Sequence, residues 1–466
     1  MSANCRRTLN PITMKKHHIK NSNKKYALLA GAAVLTAFTS QTHAQSSDAL
    51  IDKLVDKGIL TVSEAKDLRE ESDKDFKSAF QSKMGMPDWV SGYKLSGDVR
   101  GRFEQFSGDN AALIDRTRFR YRVRFGVTAS IMDNLEAGFR IASGDAKGIG
   151  SQSSAGNSLS SNSTMQDNFT KKGIYVDTAY GKWTAINSGG WLLAATVGKM
   201  DNPFTFTPMV FDPDLTPEGG ALTGGYTIND KHNITFAGGG FVMDEEGSTT
   251  HDPFFYGGQV TWNAKWSSKV SSALGVGGFQ IVSPEQLSTA NVPYVNQGNT
   301  RNANGVLVNN YNPIIADASV TYTFDHAPLY AGAFPVKLAA EYIINPGASK
   351  DNEGYWLGVT FGKSGTKKTW DLTYRYEALQ ADAWYDQLVD DDFGAFYANS
   401  PTAGGKGYFG GTNMRGHMIK ANYSFTDSFT FTATCFIDEL INSPVGGANQ
   451  PQNNAIHFMA DLMWKF

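Results

Sequence analysis

The sequence predicts an all-β membrane protein: a closed, antiparallel, up-and-down transmembrane β-barrel of about 16 strands, with a short N-terminal helical segment. Three observations favour this fold class. From Tyr93 onward, apolar and polar residues alternate in long segments, which is the period of a β-strand and not of a helix. Short and long connections alternate between the segments, and many segments begin or end in tryptophan. A soluble β-sandwich explains the first two observations, whereas tryptophan at strand ends is typical of two water–lipid interfaces.

Residues 1–44 are predicted to be a secretory signal peptide. An apolar run, Tyr26–Phe38, follows two lysines, and Thr42-His43-Ala44 has the small residues of a cleavage site. The run is too short to span a membrane as a helix. The segment ahead of the run is long, so the sequence leaves open whether Met1 or Met14 is the true start.

Loss of the signal peptide leaves an acidic chain. The sequence has 42 Lys+Arg and 45 Asp+Glu, and seven of the basic residues lie in the signal peptide, so 42 − 7 = 35 basic residues face 45 acidic ones. The formal charge is then about −10, which gives no indication of a nucleic-acid partner. Cys5 leaves with the signal peptide, and Cys435 alone cannot form an intramolecular disulfide bond.

Residues 45–88 are predicted to form a periplasmic helical segment. Ser47 can cap a first helix with an apolar stripe that ends at Gly58, and Thr61 and Glu64 have the spacing of a capping box for a second. One interpretation is an amphipathic helical pair that packs on itself or on a neighbour. The other is a device for oligomerisation or for contact with the peptidoglycan, and the sequence does not choose between them.

The most informative strand is the arginine strand, residues 116–125. Arginine occupies alternate positions, with Thr, Phe, Tyr, Val and Phe in the gaps. In a β-strand all the guanidinium groups then lie on one face and nearly all the apolar side chains on the other. Neighbouring arginines on that face are about 6.8 Å apart, and each pair repels by about 2.4 kcal/mol at an effective dielectric constant of 20. The arginine face must therefore meet water, carboxylates or a bound anion.

The other predicted strands share the alternating pattern, and most are near the 9–11 residues that a tilted membrane-spanning strand needs. The preceding strand carries Arg100 and Arg102 on its polar face, and the following strand carries Arg140. Short connections are expected on the periplasmic side and long ones outside. The backbone N–H and C=O groups of an open sheet edge find no hydrogen-bond partner in lipid. Residues 89–466 are therefore predicted to form one closed barrel. Its strands are Tyr93–Phe103, Arg116–Ala129, Leu135–Ile141, Ile174–Trp183, Trp191–Lys199, Leu222–Ile228, Asn233–Val242, Phe254–Trp266, Lys269–Ile281, Ile314–Phe324, Val336–Ile344, Tyr355–Phe361, Trp370–Leu379, Arg415–Phe425, Phe429–Ile437 and Ile456–Phe466.

Three groups of residues resemble the outer-membrane porins of Gram-negative bacteria. The terminal strand ends in Phe466, in phase with its apolar face, as outer-membrane barrels typically do. The third long connection, near 200–221, contains Pro217-Glu218-Gly219-Gly220. This stretch is similar to the Pro-Glu-Phe-Gly-Gly type motif of the inward-folded third loop of general diffusion porins, without its aromatic residue. With the helical segment and Gly198–Phe204, the chain is similar to a family of bacterial porins that bear a short N-terminal helical segment.

The resemblance implies a function and a setting. It implies a water-filled pore in the outer membrane, in contact with lipid and lipopolysaccharide, through which small hydrophilic solutes or ions diffuse passively. It further implies a homotrimer and an inward loop that narrows the pore, with no cofactor. The sequence has no HExxH, GxSxG, Walker or dinucleotide-binding motif, so neither an enzyme nor a metal site is predicted.

The candidate site is a constriction with opposed charges. One lumen wall is predicted to be basic and the inward loop acidic, which sets a transverse field that orients polar solutes. Three alternatives stay open. The arginines can pair with acids on adjacent strands, such as Asp98, Glu104 and Glu136, and stiffen the wall; they can pass oxyanions such as phosphate; or the barrel can be a structural envelope protein with a plugged lumen. The basic residues are Arg100, Arg102, Arg116, Arg118, Arg120, Arg122, Arg124 and Arg140, and the acidic ones are Asp212, Asp214 and Glu218.

A second acidic stretch lies in the seventh long connection. Asp390, Asp391 and Asp392 are consecutive, and carboxylates with neighbouring carbonyl groups can hold Ca²⁺. An acidic run in an exposed loop is more often simply solvated. The sequence does not decide whether these residues bind a cation.

Overall fold

The computed structural model describes residues 65, 87, 89–108, 115–132, 134–146, 155–247, 249–293, 297–395, 410–442 and 454–466. The predicted signal peptide lies outside this range, as does nearly all of the predicted helical segment 45–88. Trp89–Phe466 is one compact unit. Within the described part of the chain, no helix has both the length and the apolar character to cross a membrane.

The described part of this unit is built from 17 β-strands and one short 3₁₀ turn, Pro284–Gln286. The connections between strands are named L1 to L8 where they are long, in chain order. L1 is residues 109–115, L2 is 145–172, L3 is 200–217, L4 is 243–253, L5 is 283–313, L6 is 345–352, L7 is 380–413 and L8 is 441–454. The strands are β1 Val90–Gly108, β2 Arg116–Ile131, β3 Leu135–Gly144, β4 Ser163–Thr164, β5 Gly173–Ser188, β6 Trp191–Lys199, β7 Glu218–Asn229, β8 His232–Val242, β9 Phe254–Lys265, β10 Val270–Val282, β11 Ile314–Phe324, β12 Phe334–Ile344, β13 Glu353–Gly362, β14 Trp370–Leu379, β15 Met414–Ser424, β16 Phe429–Leu440 and β17 Ala455–Lys465.

The sheet is a closed antiparallel ring of 16 strands. Each long strand pairs with the next along the chain, and β1 pairs with both β2 and β17, which leaves no open edge. The prediction of a closed up-and-down barrel of about 16 strands is confirmed. The course of L2 differs from the prediction, which treated L2 as a plain connection. The two-residue strand β4 pairs with Arg120 and Tyr121 of β2, since β3 pairs with β2 only up to Arg124 and leaves the rest of β2 without that neighbour.

The two faces of the wall follow the alternation of the sequence. In β2, Phe119, Val123 and Phe125 are 54%, 42% and 43% exposed, whereas Arg120 and Arg122 are only 6% and 5% exposed. The apolar side chains therefore point out of the barrel and the guanidinium groups point into it. An outward apolar band is what a barrel in lipid requires.

The two ends of the barrel differ in their connections. At one end the turns are tight; Gly189 and Gly190 form one of them and both have positive φ, 59° and 82°, which glycine adopts without steric cost. Aromatic rings gather on the strands near this end. Trp191 packs against Tyr226 in a tilted arrangement with 4.4 Å between ring centroids, and Phe429 stacks on Trp464 at 4.6 Å. The long loops lie at the other end, and L3 and L7 contribute the largest buried hydrophobic cluster.

The C-terminal residue closes the seam of the barrel beside a glycine. The backbone of Phe466 exchanges two hydrogen bonds with that of Gly97 in β1, at 2.9 and 3.1 Å. A Cβ atom at Gly97 would collide with the backbone oxygen of Arg124 in β2 and would lie 2.6 Å from the Phe466 ring. A Cβ atom at Gly101, four residues further along the same strand, would meet nothing within 4 Å.

We therefore expect Gly97→Val to destabilise the barrel by about 1–3 kcal/mol, because the added side chain collides with the Arg124 backbone oxygen and with the Phe466 ring at the seam. Gly101→Val is the matched control and should be nearly neutral. The measurement is the temperature at which the folded barrel loses its faster mobility on a detergent gel. Equal midpoints for the two variants would show that the seam tolerates the added volume.

Candidate functional site: the charged lumen and its inward loops

The arginines of β2 are paired with carboxylates of β1. Asp98 lies opposite Arg124 and Glu104 lies opposite Arg118 in the register of the two strands. Asp98 accepts a hydrogen bond from Arg122 Nε at 2.9 Å and from Arg124 Nε at 2.7 Å. Glu104, fully buried, accepts one from Arg118 and lies 3.5 Å from Arg120 NH1. Residues directly opposite on antiparallel strands are close neighbours, so the strand register itself brings these charges together.

The arginines of β1 are paired across the seam with β17. Arg102 donates two hydrogen bonds to Asp461, from Nε at 2.8 Å and from NH2 at 2.9 Å. This bidentate geometry is the strongest kind of ion pair that arginine makes. Arg100 lies 3.9 Å from Asp461 and donates a hydrogen bond of 2.7 Å to the side-chain oxygen of Asn162 in L2.

Three loops add a further carboxylate each. Asp214 of L3 lies 3.3 Å from Arg122 NH1 and 3.5 Å from Arg124 NH1. Asp392 of L7 lies 3.3 Å from Arg102 NH1, and Asp145 at the start of L2 lies 4.0 Å from Arg120 NH2. The network thus contains six arginines and six carboxylates, three from the wall and three from loops, and its formal charges balance. The arginines are Arg100, Arg102, Arg118, Arg120, Arg122 and Arg124; the carboxylates are Asp98, Glu104, Asp145, Asp214, Asp392 and Asp461.

Arg140 and two of the predicted loop acids have other partners. Arg140 in β3 is paired with Asp177 of β5 and with Asp201 of L3, the latter at 2.6 Å. Arg116 is the first residue of β2. Of the three acids that were predicted to face the arginines, Asp214 is the one in ion-pair contact with them.

The other two predicted loop acids have different surroundings. Glu218 is the first residue of β7 and accepts a hydrogen bond of 2.9 Å from Lys199 Nζ. Asp212 is buried, and its carboxylate accepts backbone N–H groups of Asp214 at 2.7 Å and of Asp391 at 3.4 Å. Asp212 therefore helps to shape L3 and to join it to L7.

The inward position of L7 was not predicted from the sequence, which indicated only L3 as an inward loop. Trp384 Nε1 donates a hydrogen bond to the Val210 carbonyl oxygen at 2.9 Å, and the Asp212 N–H donates to the Leu388 carbonyl oxygen at 2.8 Å. The Asp390 N–H donates to the Pro208 carbonyl oxygen at 3.0 Å. L3 and L7 are therefore joined through their backbones inside the barrel. The available signal was the apolar Ala383-Trp384-Tyr385 in a long connection, which is unusual for a solvated loop.

An aromatic cluster attaches the joined loops to the wall opposite the arginines. Phe204 and Phe211 of L3 lie 4.8 and 5.3 Å from the ring of Phe279 in β10, and Phe211 lies 6.1 Å from Trp384. L3 is also bonded to β12, where Glu341 accepts the Thr207 N–H at 3.1 Å. The two loops thus bridge the lumen, with ion pairs at one wall and aromatic packing at the other.

The acidic run of L7 is packed against L3. Carboxylate oxygens of Asp212, Asp390 and Asp391 lie within 4.8 Å of one another. Burial, and then the neighbouring aspartates, raise the pKa of Asp212 and Asp391 well above the usual range, and burial together with Asp392 raises the pKa of Asp390 to about 7. Although burial also opposes the charge of Asp392, the Arg102 guanidinium group lowers the pKa of that residue. The loop acids thus form two groups. Asp392 is ionised beside arginine, whereas the other three aspartates resist ionisation.

The remaining lumen wall has a second polar pattern that the sequence reasoning did not find. A row of lumen-facing residues runs in register across neighbouring strands and brings four carboxyl groups to one level. Nearer the tight turns, β7 to β12 line an open cavity of about 510 Å³ in which hydroxyl and amide groups are the commonest polar groups. The row is Asp317, Glu341, Trp356, Glu377, Gly416 and Asp438, and the cavity residues include Thr227, Asn233, Asn263, Ser271, Ser319, Thr321 and Lys337.

A closed barrel with charged residues inside and lipid-type residues outside defines a transmembrane β-barrel channel. Residues 109–311, from L1 to L5, match the family model described as "Putative porin". The prediction of a porin family is confirmed. No curated protein matches the chain.

Solved structures of bacterial porins are similar at low identity. The high-pH structure of Pseudomonas putida OprB is 12% identical, with 80% of this chain and 94% of that chain covered and a TM-score of 0.48. The low-pH structure of the same protein is 11% identical, with 83% and 96% covered and a TM-score of 0.45. A mutant of the Rh. blastica porin is 11% identical, with 80% and 100% covered and a TM-score of 0.40.

Substitution of Trp384 tests whether this residue attaches L7 to L3 and to the barrel wall. Trp384 is fully buried between L3 and the wall, so Trp384→Ala should lower the free energy of unfolding by about 3–5 kcal/mol and speed amide exchange in L7. The control is Trp183→Ala, which removes a side chain that is 50% exposed. Unchanged exchange at residues 384–390 in Trp384→Ala would contradict the attachment.

Proposed function

We propose that the protein is an outer-membrane porin that lets small hydrophilic solutes and ions diffuse passively through a narrowed lumen. The observation that carries the proposal is the bridge that L3 and L7 form across a closed barrel with a charged interior. Such a bridge leaves only part of the cross-section for solutes, and the charges on either side favour polar molecules over apolar ones. Passive diffusion requires neither a cofactor nor a catalytic residue.

The balance of charge favours weak ion selectivity over an oxyanion pathway. A ladder that passes phosphate needs guanidinium groups whose donors are free for the anion. Here each of the six arginines in the network has a carboxylate oxygen within 4.0 Å. Arg124 and Arg140 have the most accessible side chains among the paired lumen arginines, 23% each, and we assign the pore-lining role chiefly to them.

A plugged structural barrel is the second candidate, and one observation favours it. The cluster that holds L3 and L7 contains fully buried side chains such as Met209, Val210 and Trp384, as a stable plug would. Conductance in a planar lipid bilayer separates the two functions. A porin gives steady current steps, and a plugged barrel gives none.

The setting of the barrel is part of the proposal. The half-exposed apolar outer band supports contact with outer-membrane lipid and lipopolysaccharide. We further propose cleavage of residues 1–44, assembly as a homotrimer, and a periplasmic or peptidoglycan contact through segment 45–88. Sequencing of the mature N-terminus and the mass of the detergent-solubilised complex test the first two, and retention on isolated peptidoglycan with and without residues 45–88 tests the third.

We expect Arg124→Gln to shift the reversal potential in a salt gradient toward cation preference. The change removes the accessible positive charge of Arg124. The negative charges of Asp98 and Asp214, which Arg124 contacts, are then no longer balanced and attract cations. One unit charge about 7 Å from a passing ion in water changes its local population about threefold. Arg415→Gln is the matched control, because Arg415 lies on the outward face of β15, paired with Glu439. A shift of the same size in both variants would contradict a lumen role for Arg124.

Acidification should stabilise the docked loops. The pKa of Asp390 is raised to about 7, so the folded protein binds this proton more tightly than the unfolded chain does. That contribution is fully present below the unfolded pKa of about 4 and is lost as the pH rises through about 7. The thermal midpoint should therefore fall between about pH 5 and about pH 8, and fall less in Asp390→Asn. A midpoint that rises over this range only when Asp390 is present would contradict the assignment.

A further inference from the structure

We propose that residues 380–395 of L7 form a second constriction segment and that the carboxylate of Asp392 sets the ion selectivity of the lumen. The inference rests on the proposed porin function and assigns part of its selectivity to a loop other than L3. It concerns the charge that a passing ion meets beside Arg102. Three features of the structure support it: accessibility, positioning and charge balance.

Asp392 and Asp145 are the two most accessible carboxylates of the arginine network. Their side chains are 27% and 26% exposed, compared with 13% for Asp214 of L3 and 10% for Asp461 of the wall. Of the two, Asp392 lies nearer its arginine, at 3.3 Å from Arg102 NH1, whereas Asp145 lies 4.0 Å from Arg120 NH2. Glu104 has no exposed side-chain surface. Since an ion in water interacts most with charges that share that water, Asp392 contributes more to the local potential than the buried members do.

Asp392 is held in place from the wall. Its carbonyl oxygen lies 3.0 Å from Nδ1 of His457 in β17, and the imidazole ring of His457 stacks on Phe106 of β1 at 4.3 Å. The next residue, Phe393, is 2% exposed and packs against Phe436 of β16. The carboxylate therefore stands on a segment fixed to β1, β16 and β17, and its position beside Arg102 is built into the barrel.

The charge balance gives the direction of the effect. The wall supplies three of the six carboxylates, and the loops supply the other three, Asp145, Asp214 and Asp392. Removal of the Asp392 charge leaves the network with one excess positive charge. That charge lies on Arg102, which Asp461 still holds in place. Arg102 keeps its bidentate partner, so the wall stays folded while the potential beside it becomes positive.

The experiment compares Asp392→Asn with the native protein in a planar bilayer under a potassium chloride gradient. We expect the cation-to-anion permeability ratio to fall at least about threefold in Asp392→Asn and to keep its native value in Asp392→Glu. The control is Asp325→Asn, which removes an acid paired with Lys269 near the tight turns. That variant should keep the native ratio.

The outcomes separate this inference from the proposed function. A conducting native channel whose ratio is the same in Asp392→Asn overturns the role of Asp392 and leaves the porin function standing. An equal fall in Asp325→Asn also overturns it, because the effect would then come from net charge alone. A native protein that passes no current overturns the proposed function and this inference with it. Heat-modifiable mobility on a detergent gel confirms that each variant is folded before its current is recorded.

Discussion

The structure depends on one constraint, the neutralisation of a row of arginines inside a closed barrel. The guanidinium groups repeat every second residue of β2, and each neighbouring pair repels by about 2.4 kcal/mol at an effective dielectric constant of 20. The register of the seam strands solves half of this problem by placing Asp98, Glu104 and Asp461 opposite arginines. The other half is solved by loops that enter the lumen and bring three more carboxylates. The inward course of L2, L3 and L7 is thus tied to the charge of the wall.

The two attachments of the loops have different physical roles. Buried ion pairs give little net stability, because desolvation offsets most of their Coulomb attraction, although loss of one partner is costly. The aromatic cluster around Phe211, Phe279 and Trp384 buries apolar surface without that offset. We therefore attribute the docking energy of the loops chiefly to the aromatic wall and their orientation to the arginine wall. A loop pair attached in this way can narrow a pore while keeping its charged side accessible to ions.

The sequence predicts the barrel well because every strand carries its own evidence. Alternation decides which face is wet, and Asp98 and Glu104 could be named as arginine partners since they lie on the strand next to the arginines. The loop contacts carry no local signal of this kind. Arg102 and Asp392 are separated by 290 positions, and Trp384 and Val210 by 174. Glu218 was expected to lie in the loop and to face the arginines, but it is the first residue of β7 and pairs with Lys199. The prediction placed it in the loop because the alternating pattern does not fix the first residue of a strand.

The central claim is that opposed charges balance in one network and so keep the ion selectivity of the lumen weak. The most direct measurement is the permeability ratio of Arg124→Gln, Asp214→Asn and the double variant, since these two residues are in contact at 3.5 Å. The account predicts opposite shifts for the single variants, toward cations and toward anions respectively, and a return to the native ratio in the double variant. A double variant that keeps the ratio of either single variant would contradict it.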